Sequence, residues 1–107
     1  MGAEALKGHL DVLLLSILGD GPAHGYAIIE ELRRRSNGAF DLPEGTVYPA
    51  LHRLERAGHL SSTWATDAPR KRRVYEITAS GWRALNRGKA EWDSFARAMR
   101  VALEAST

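Results

Sequence analysis

Cysteine is missing from all 107 residues, which removes disulfides, thiolate zinc sites and cysteine nucleophiles from consideration. Long apolar runs are missing too. Val12-Leu13-Leu14-Leu15 is short, follows Asp11, and lacks the basic start and small-residue cleavage site of a secretory signal. Nothing approaches the ~18 apolar residues that a membrane span requires. The four histidines, His9, His24, His52 and His59, form no HxxxH-type pair. There is no glycine-rich phosphate loop, no nucleophile elbow, and no serine in a recognisable triad context. Internal repeats and low-complexity linkers are also absent. These absences argue against an enzyme, a metal site or a bound cofactor, and they are compatible with a cytoplasmic protein.

What remains is an ordinary globular composition, 44% hydrophobic and 26% charged. A chain of this length fits one domain and buries roughly two-thirds of its unfolded surface. The net charge of +2 is unevenly spread. Between His52 and Arg73 the chain carries Arg53, Arg56, Arg70, Lys71, Arg72 and Arg73 against Glu55 and Asp67. That window holds +4, and everything outside it sums to −2. Positive charge gathered on two neighbouring elements is what a polyanion-binding face requires.

Periodicity predicts a mainly α (α+β) fold. Leu6, Leu10, Leu13, Leu14, Ile17 and Leu18 recur at three and four, giving a first helix over about 4–18 that ends at Gly19-Asp20-Gly21-Pro22. A second helix is expected over about 24–36, with Tyr26, Ile29 and Leu32 facing inward and Arg33-Arg34-Arg35 offsetting its negative end. Asn37-Gly38 offers a left-handed stop. Proline is comfortable only in a helix's first turn. Pro49 therefore places the start of a third helix near Gly45 or Thr46, with Thr46 as its cap. Val47, Leu51 and Leu54 form its buried row. Thr46, Tyr48, His52, Arg53 and Arg56 lie off that row. Residues 60–66 and 73–77 alternate as a two-stranded hairpin, with the basic run in its loop. Thr78 then caps a long last helix ending near Ala105, on which Leu85, Gly88, Trp92, Phe95, Met99 and Ala102 follow spacings of three and four. Helix, turn, helix and basic hairpin make a winged helix-turn-helix, here over residues 1–78, with a dimerisation helix over 79–107.

With these pieces in order, the chain resembles the PadR family of transcriptional regulators. The matching residues are Lys7-Gly8, Pro22-Ala23-His24-Gly25-Tyr26, the stretch from Gly45-Thr46-Val47-Tyr48-Pro49 to Arg56-Ala57-Gly58, Arg73 to Gly81, and the Trp92/Phe95 helix. The single helix after the hairpin looks like the smaller of the family's two size classes. The resemblance implies a homodimeric repressor binding an inverted-repeat DNA operator, with the third helix in the major groove and the wing along the backbone. By position, Tyr48, Pro49, His52 and Arg53 fall where the family's recognition helix meets DNA, and Tyr26 and Lys7 where relatives approach phosphates. The hairpin departs from the family at Pro69-Arg70-Lys71-Arg72-Arg73, where relatives often turn at a glycine, and at Val74, which replaces a frequent aromatic.

The residue types suit that work. Wing cations neutralise phosphates without reading sequence, whereas Arg53 and Arg56 have the fork geometry for guanine O6 and N7. As the plainer alternative, Tyr26 and Tyr48 are core aromatics with wet tips, Arg56 is a partner of Asp41, Glu44 or Glu55, and the wing run is a solvated loop. A dimer seam is expected from Leu6, Leu10, Leu85, Trp92, Phe95, Met99 and Leu103, because exposing the aromatic stripe would invite association. Some relatives bind flat aromatic effectors near the dimer interface, which makes Trp92 and Phe95 candidates for an effector pocket as well as for dimer core. The competing function is a winged-helix protein–protein module that does not bind DNA.

Overall fold

The structure is a computed structural model and describes residues 6, 8–65 and 71–105. Lys7 and Arg70, assigned to DNA contact, lie outside the described residues, as does most of the hairpin loop. The elements are α1 (Leu10–Leu18), β1 (Ala23–His24), α2 (Gly25–Arg35), α3 (Glu44–Arg56), β2 (Leu60–Ala65), β3 (Arg72–Ile77) and α4 (Ala79–Glu104). Helices α1, α2 and α3 enclose one core in which Leu14, Leu18, Ile28, Leu32, Val47 and Leu51 are essentially solvent-free. Both strand pairs are antiparallel in a sheet of order β1-β3-β2. Tyr75, on the central strand, is buried against the helical core.

Helix α1 begins at Leu10, and Glu4, its expected start, lies outside the described residues. Gly8 has φ +84°, a value no right-handed helix contains, so the chain turns there. The turn folds Leu6 into the core at 4% exposure. Helix α2 has the expected span, but its inward residues are Ile28, Ile29 and Leu32, and Tyr26 stands 59% exposed. It closes as anticipated. Asn37 takes φ 52°, and the Gly38 and Asn37 amides donate to the carbonyls of Arg33 and Arg34.

Helix α3 departs from expectation at its start. Pro43, and not Thr46, is the N-cap residue, and its carbonyl accepts from the Thr46 and Val47 amides. Pro49 therefore lies in the second turn. It supplies no N–H to the carbonyl of Gly45, and both residues are exposed, so the freed acceptor faces the solvent side. The other end is closed by Gly58 and His59, whose amides donate to Glu55 and Leu54. Thr78 does cap α4. Its Oγ1 accepts from the Gly81 amide at 3.1 Å and donates to the Gly58 carbonyl at 2.7 Å, joining the ends of three elements.

Two strands of the sheet match the anticipated hairpin, and β1 is an addition. It is only two residues long, paired Ala23 to Tyr75 and His24 to Val74, too short to leave an alternating pattern. Along α4 only Gly81 and Leu85 are buried. Beyond them α4 runs along α1, with Gly88 against Val12 and Trp92 against His9, and the structure as a whole extends 58 × 28 × 20 Å. Leu6 and Leu85 thus belong to the protomer's own core and have no surface to offer a partner, contrary to the dimer seam expected from spacing. Leu10 is half-buried against that core. Trp92, Phe95, Met99 and Leu103 remain 45–62% exposed. No helix among the described residues is long and apolar enough to cross a membrane.

Candidate nucleic-acid interface

The exposed face of α3 and the inner face of the wing border one cleft of about 510 Å³. Tyr48 and His52 enter it from α3, Tyr26 from α2, and Trp64, Lys71 and Arg72 from the hairpin. Tyr48 is half-buried because its ring lies on Gly25; a Cβ there would come within 2.5 Å of the ring and hydroxyl. Pro49, His52, Arg53 and Arg56 continue the exposed face along the helix, and Thr46 is half-buried near its start.

The cations of this surface differ in what holds them. Arg53 Nη2 donates to Asp11 Oδ1 at 2.6 Å. Arg56 makes no ion pair among the described residues; of its expected partners, Asp41 pairs with Arg33 and Glu55 with Arg73. Arg73 is turned back toward the protein. It donates through Nε to Ser62 Oγ at 2.8 Å, lies 3.6 Å from Glu55, and sits 5.2 Å above the Trp64 ring. Ser62 in turn donates to Glu55. This chain of contacts joins α3 to both strands of the wing, so Arg73 braces the hairpin and its guanidinium is not free in the way expected of a phosphate contact. Lys71 and Arg72 are the exposed cations of the hairpin among the described residues.

His24 lies where α2, β1 and β3 meet. Its Nδ1 accepts from the Ala27 amide at 3.4 Å, and Nε2 stands 3.1 Å from Arg72 Nη1. Both neighbours are donors, so a second proton on the ring would leave no acceptor facing either. Burial, and then the Arg72 charge, hold its pKa below the ordinary histidine value of 6.5. Glu44, His52, Lys71 and Arg73 line the same cleft. A group whose folded pKa is depressed binds protons more readily when unfolded. The stability tied to neutral His24 is therefore complete above about pH 6.5 and declines as pH falls toward the lowered folded value. Thermal melts between pH 7.5 and 5 should show this decline. His24→Asn, which keeps a capping acceptor but does not titrate, should reduce it.

At the far end of α2, Glu31 receives Arg34 and Arg35, and those hydrogen bonds pull its pKa down to about 2. Arg35 also donates to Asp20. Arg33 pairs with Glu30 and Asp41, so each of the three arginines is held by a nearby carboxylate.

The fold agrees with that of known proteins. Residues 14–87 match the family model of the transcriptional regulator PadR-like family. The chain belongs to the PadR-like family of transcriptional regulators. A transcriptional regulator of Mycobacterium tuberculosis is 36% identical over 84 residues, covering 78% of this chain and 76% of that protein. Among solved structures, a PadR family transcriptional regulator from Eggerthella lenta superposes with a TM-score of 0.83 at 33% identity, covering 94% of this chain and 87% of that one. A transcriptional regulator from Clostridium thermocellum gives 0.86 at 26% identity, over 92% and 96% of the two chains. The winged-helix fold is the family's, and family membership makes this chain a transcriptional regulator, a class whose members are generally not enzymes.

Within this PadR-like frame the structure gathers Tyr26, Tyr48, His52, Lys71 and Arg72 around one cleft, with Arg73 on its wall. Arg53 and Arg56 lie further along α3, in its last turn. Asp11, Ser62 and Trp64 are not among the site residues expected from the sequence, and Glu55, expected at most as a partner of Arg56, pairs with Arg73. A lone acid in the run Leu10 to Leu15 was a signal for Asp11, but its partner 42 residues away was not readable from spacing.

Proposed function

We propose that this PadR-like regulator is a homodimeric repressor that binds an inverted-repeat operator in double-stranded DNA. Residues 1–78 act as the reading unit and 79–107 as the pairing helix. The supporting observation is the convergence of the exposed α3 face and the wing cations on one cleft. In this reading α3 enters the major groove with Tyr48, Pro49, His52, Arg53 and Arg56, while Lys71, Arg72 and Tyr26 meet the phosphates on either side. Arg73 acts indirectly, by holding the wing against Glu55.

The apolar side of α4 supports the dimer. Trp92, Phe95 and Met99 lie together at about half exposure, an arrangement that favours burial against a second copy. Between α1 and α4 lies a cavity of about 650 Å³ bordered by His9, Val12, Leu13, Phe40, Trp92 and Phe95. His9 meets Trp92 edge-on at 5.2 Å, and Trp92 and Phe95 are 6.1 Å apart. A flat aromatic effector that releases the operator fits such walls, with Trp92 as the stacking face.

A gel shift across a salt series tests the DNA reading. Binding should weaken steeply with salt, with a log–log slope of about −0.9 per phosphate neutralised. Lys71→Ala with Arg72→Ala should weaken all DNA alike and flatten the slope by about one unit for each phosphate left without its cation. No binding in dilute buffer would leave the protein–protein module as the better account.

A further inference from the structure

Asp11 stands in the first turn of α1, where the positive end of the helix favours a carboxylate. The helix beneath it is fixed in the core by Leu14, Leu15, Ile17 and Leu18, so the carboxylate is presented from a rigid base. Its Oδ1 accepts from Arg53 Nη2 at 2.6 Å, joining α1 to the last turn of α3. The two side chains are 44% and 60% exposed. A pair so open to water adds little to folding.

Its consequence lies with the arginine. A guanidinium carries five N–H donors in a planar fork, and this contact uses one. The rest of the fork remains available for two parallel bonds to guanine O6 and N7. A free arginine must be ordered when DNA arrives, at a cost set by its many rotamers. One already held against α1 has met that cost on folding. The carboxylate itself repels phosphates, so its contribution falls on selectivity and not on general affinity.

We propose that Asp11 is a positioning residue for base reading. It fixes the Arg53 guanidinium so that the unused edge meets one guanine of each half-site. This rests on α3 being the groove-reading helix, and it concerns a single base position within that role.

Selection from a random DNA pool, run with the parent, Asp11→Ala, Asp11→Asn, Arg53→Ala and the double variant Asp11→Ala/Arg53→Ala, tests it. Arg53→Ala should erase the preference at one base pair of the half-site. Asp11→Ala should weaken the preference at that same pair by roughly two- to tenfold, the cost of ordering one long side chain on binding. Affinity for unrelated DNA should hold or rise, because a negative charge has left the interface. Asp11→Asn, which keeps an accepting oxygen without the charge, should fall between. The double variant should select no worse than Arg53→Ala, since Asp11 acts through Arg53. A preference that is unchanged in Asp11→Ala overturns the proposal. So does a sharper one, which would make the carboxylate a competitor of DNA for Arg53. If Arg53→Ala leaves every base position intact, the proposal falls together with the assignment of Arg53. A parent chain that selects no sequence overturns the DNA reading as a whole.

Discussion

Gly81→Ala is expected to destabilise the fold by about 3 kcal/mol, the upper end of what overpacking costs. The added Cβ would stand 2.2 Å from the His59 carbonyl oxygen and 2.7 Å from Ile77 Cγ1. The first obstacle is backbone, so no rotamer change relieves it. The surrounding chain cannot easily move either. The Thr78 amide donates to that same His59 carbonyl, Thr78 Oγ1 holds the Gly58 carbonyl, and His59 Nδ1 bonds Ser80 Oγ at 2.8 Å. Opening this junction would disturb the end of α3, the start of β2 and the start of α4 together. In a domain of this size the loss corresponds to a fall in Tm of roughly 10–20 °C. Gly88→Ala is the control. There the added Cβ would meet only the Val12 side chain, at 2.8 and 3.1 Å. A glycine replaced by alanine inside a helix gains up to about 1 kcal/mol, which offsets the crowding, so this variant should melt close to the parent. A Gly81→Ala protein that melts within a few degrees of the parent would contradict the close packing described.

Phe95→Asp is expected to convert a dimer into a monomer and to lower operator affinity by about 10²- to 10⁴-fold. The ring is 51% exposed within one protomer, so removing it costs that protomer little core. Across the proposed seam the change is severe, because an unpaired carboxylate would be buried among aromatic side chains. Separate protomers bind two half-sites independently and lose the high effective concentration of a linked pair, which accounts for the size of the drop. Light scattering reports the oligomeric state, and a gel shift on an inverted repeat reports the affinity. Met99→Asp, 45% exposed on the same side of α4, should act in the same direction. Dimers of undiminished affinity in both variants would remove α4 from the association surface.

Much of this architecture is legible in the sequence where one local rule decides the outcome. Thr78 caps α4 because its hydroxyl reaches the Gly81 amide within a single turn. Asn37-Gly38 ends α2 because that position requires a left-handed residue. The sequence is less informative where distant parts of the chain intervene. Helical spacing places Leu85 and Trp92 on one stripe, yet Leu85 is covered by its own domain and Trp92 is not. Periodicity identifies an apolar face without saying what covers it. Pro49 also misleads, because an exposed second turn tolerates the missing hydrogen bond, and α3 starts earlier than the proline suggests. Among the site residues, exposure of His52, Arg53 and Arg56 follows from their place off the buried row of α3. Their individual circumstances do not. Arg53 is tethered by Asp11 and Arg73 by Glu55 and Ser62, and both tethers depend on how remote segments are brought together.

The two-residue strand β1 has a mechanical consequence. Through Ala23 and His24 it stitches the entrance of α2 to β3, while the Glu55 contacts rivet the exit of α3 to the same hairpin. Fastened at both places, the described stem of the hairpin is tied to α2 and to α3 alike. Any tilt of the stem relative to α2 and α3 would have to break the Ala23 and His24 pairing or the Glu55 contacts.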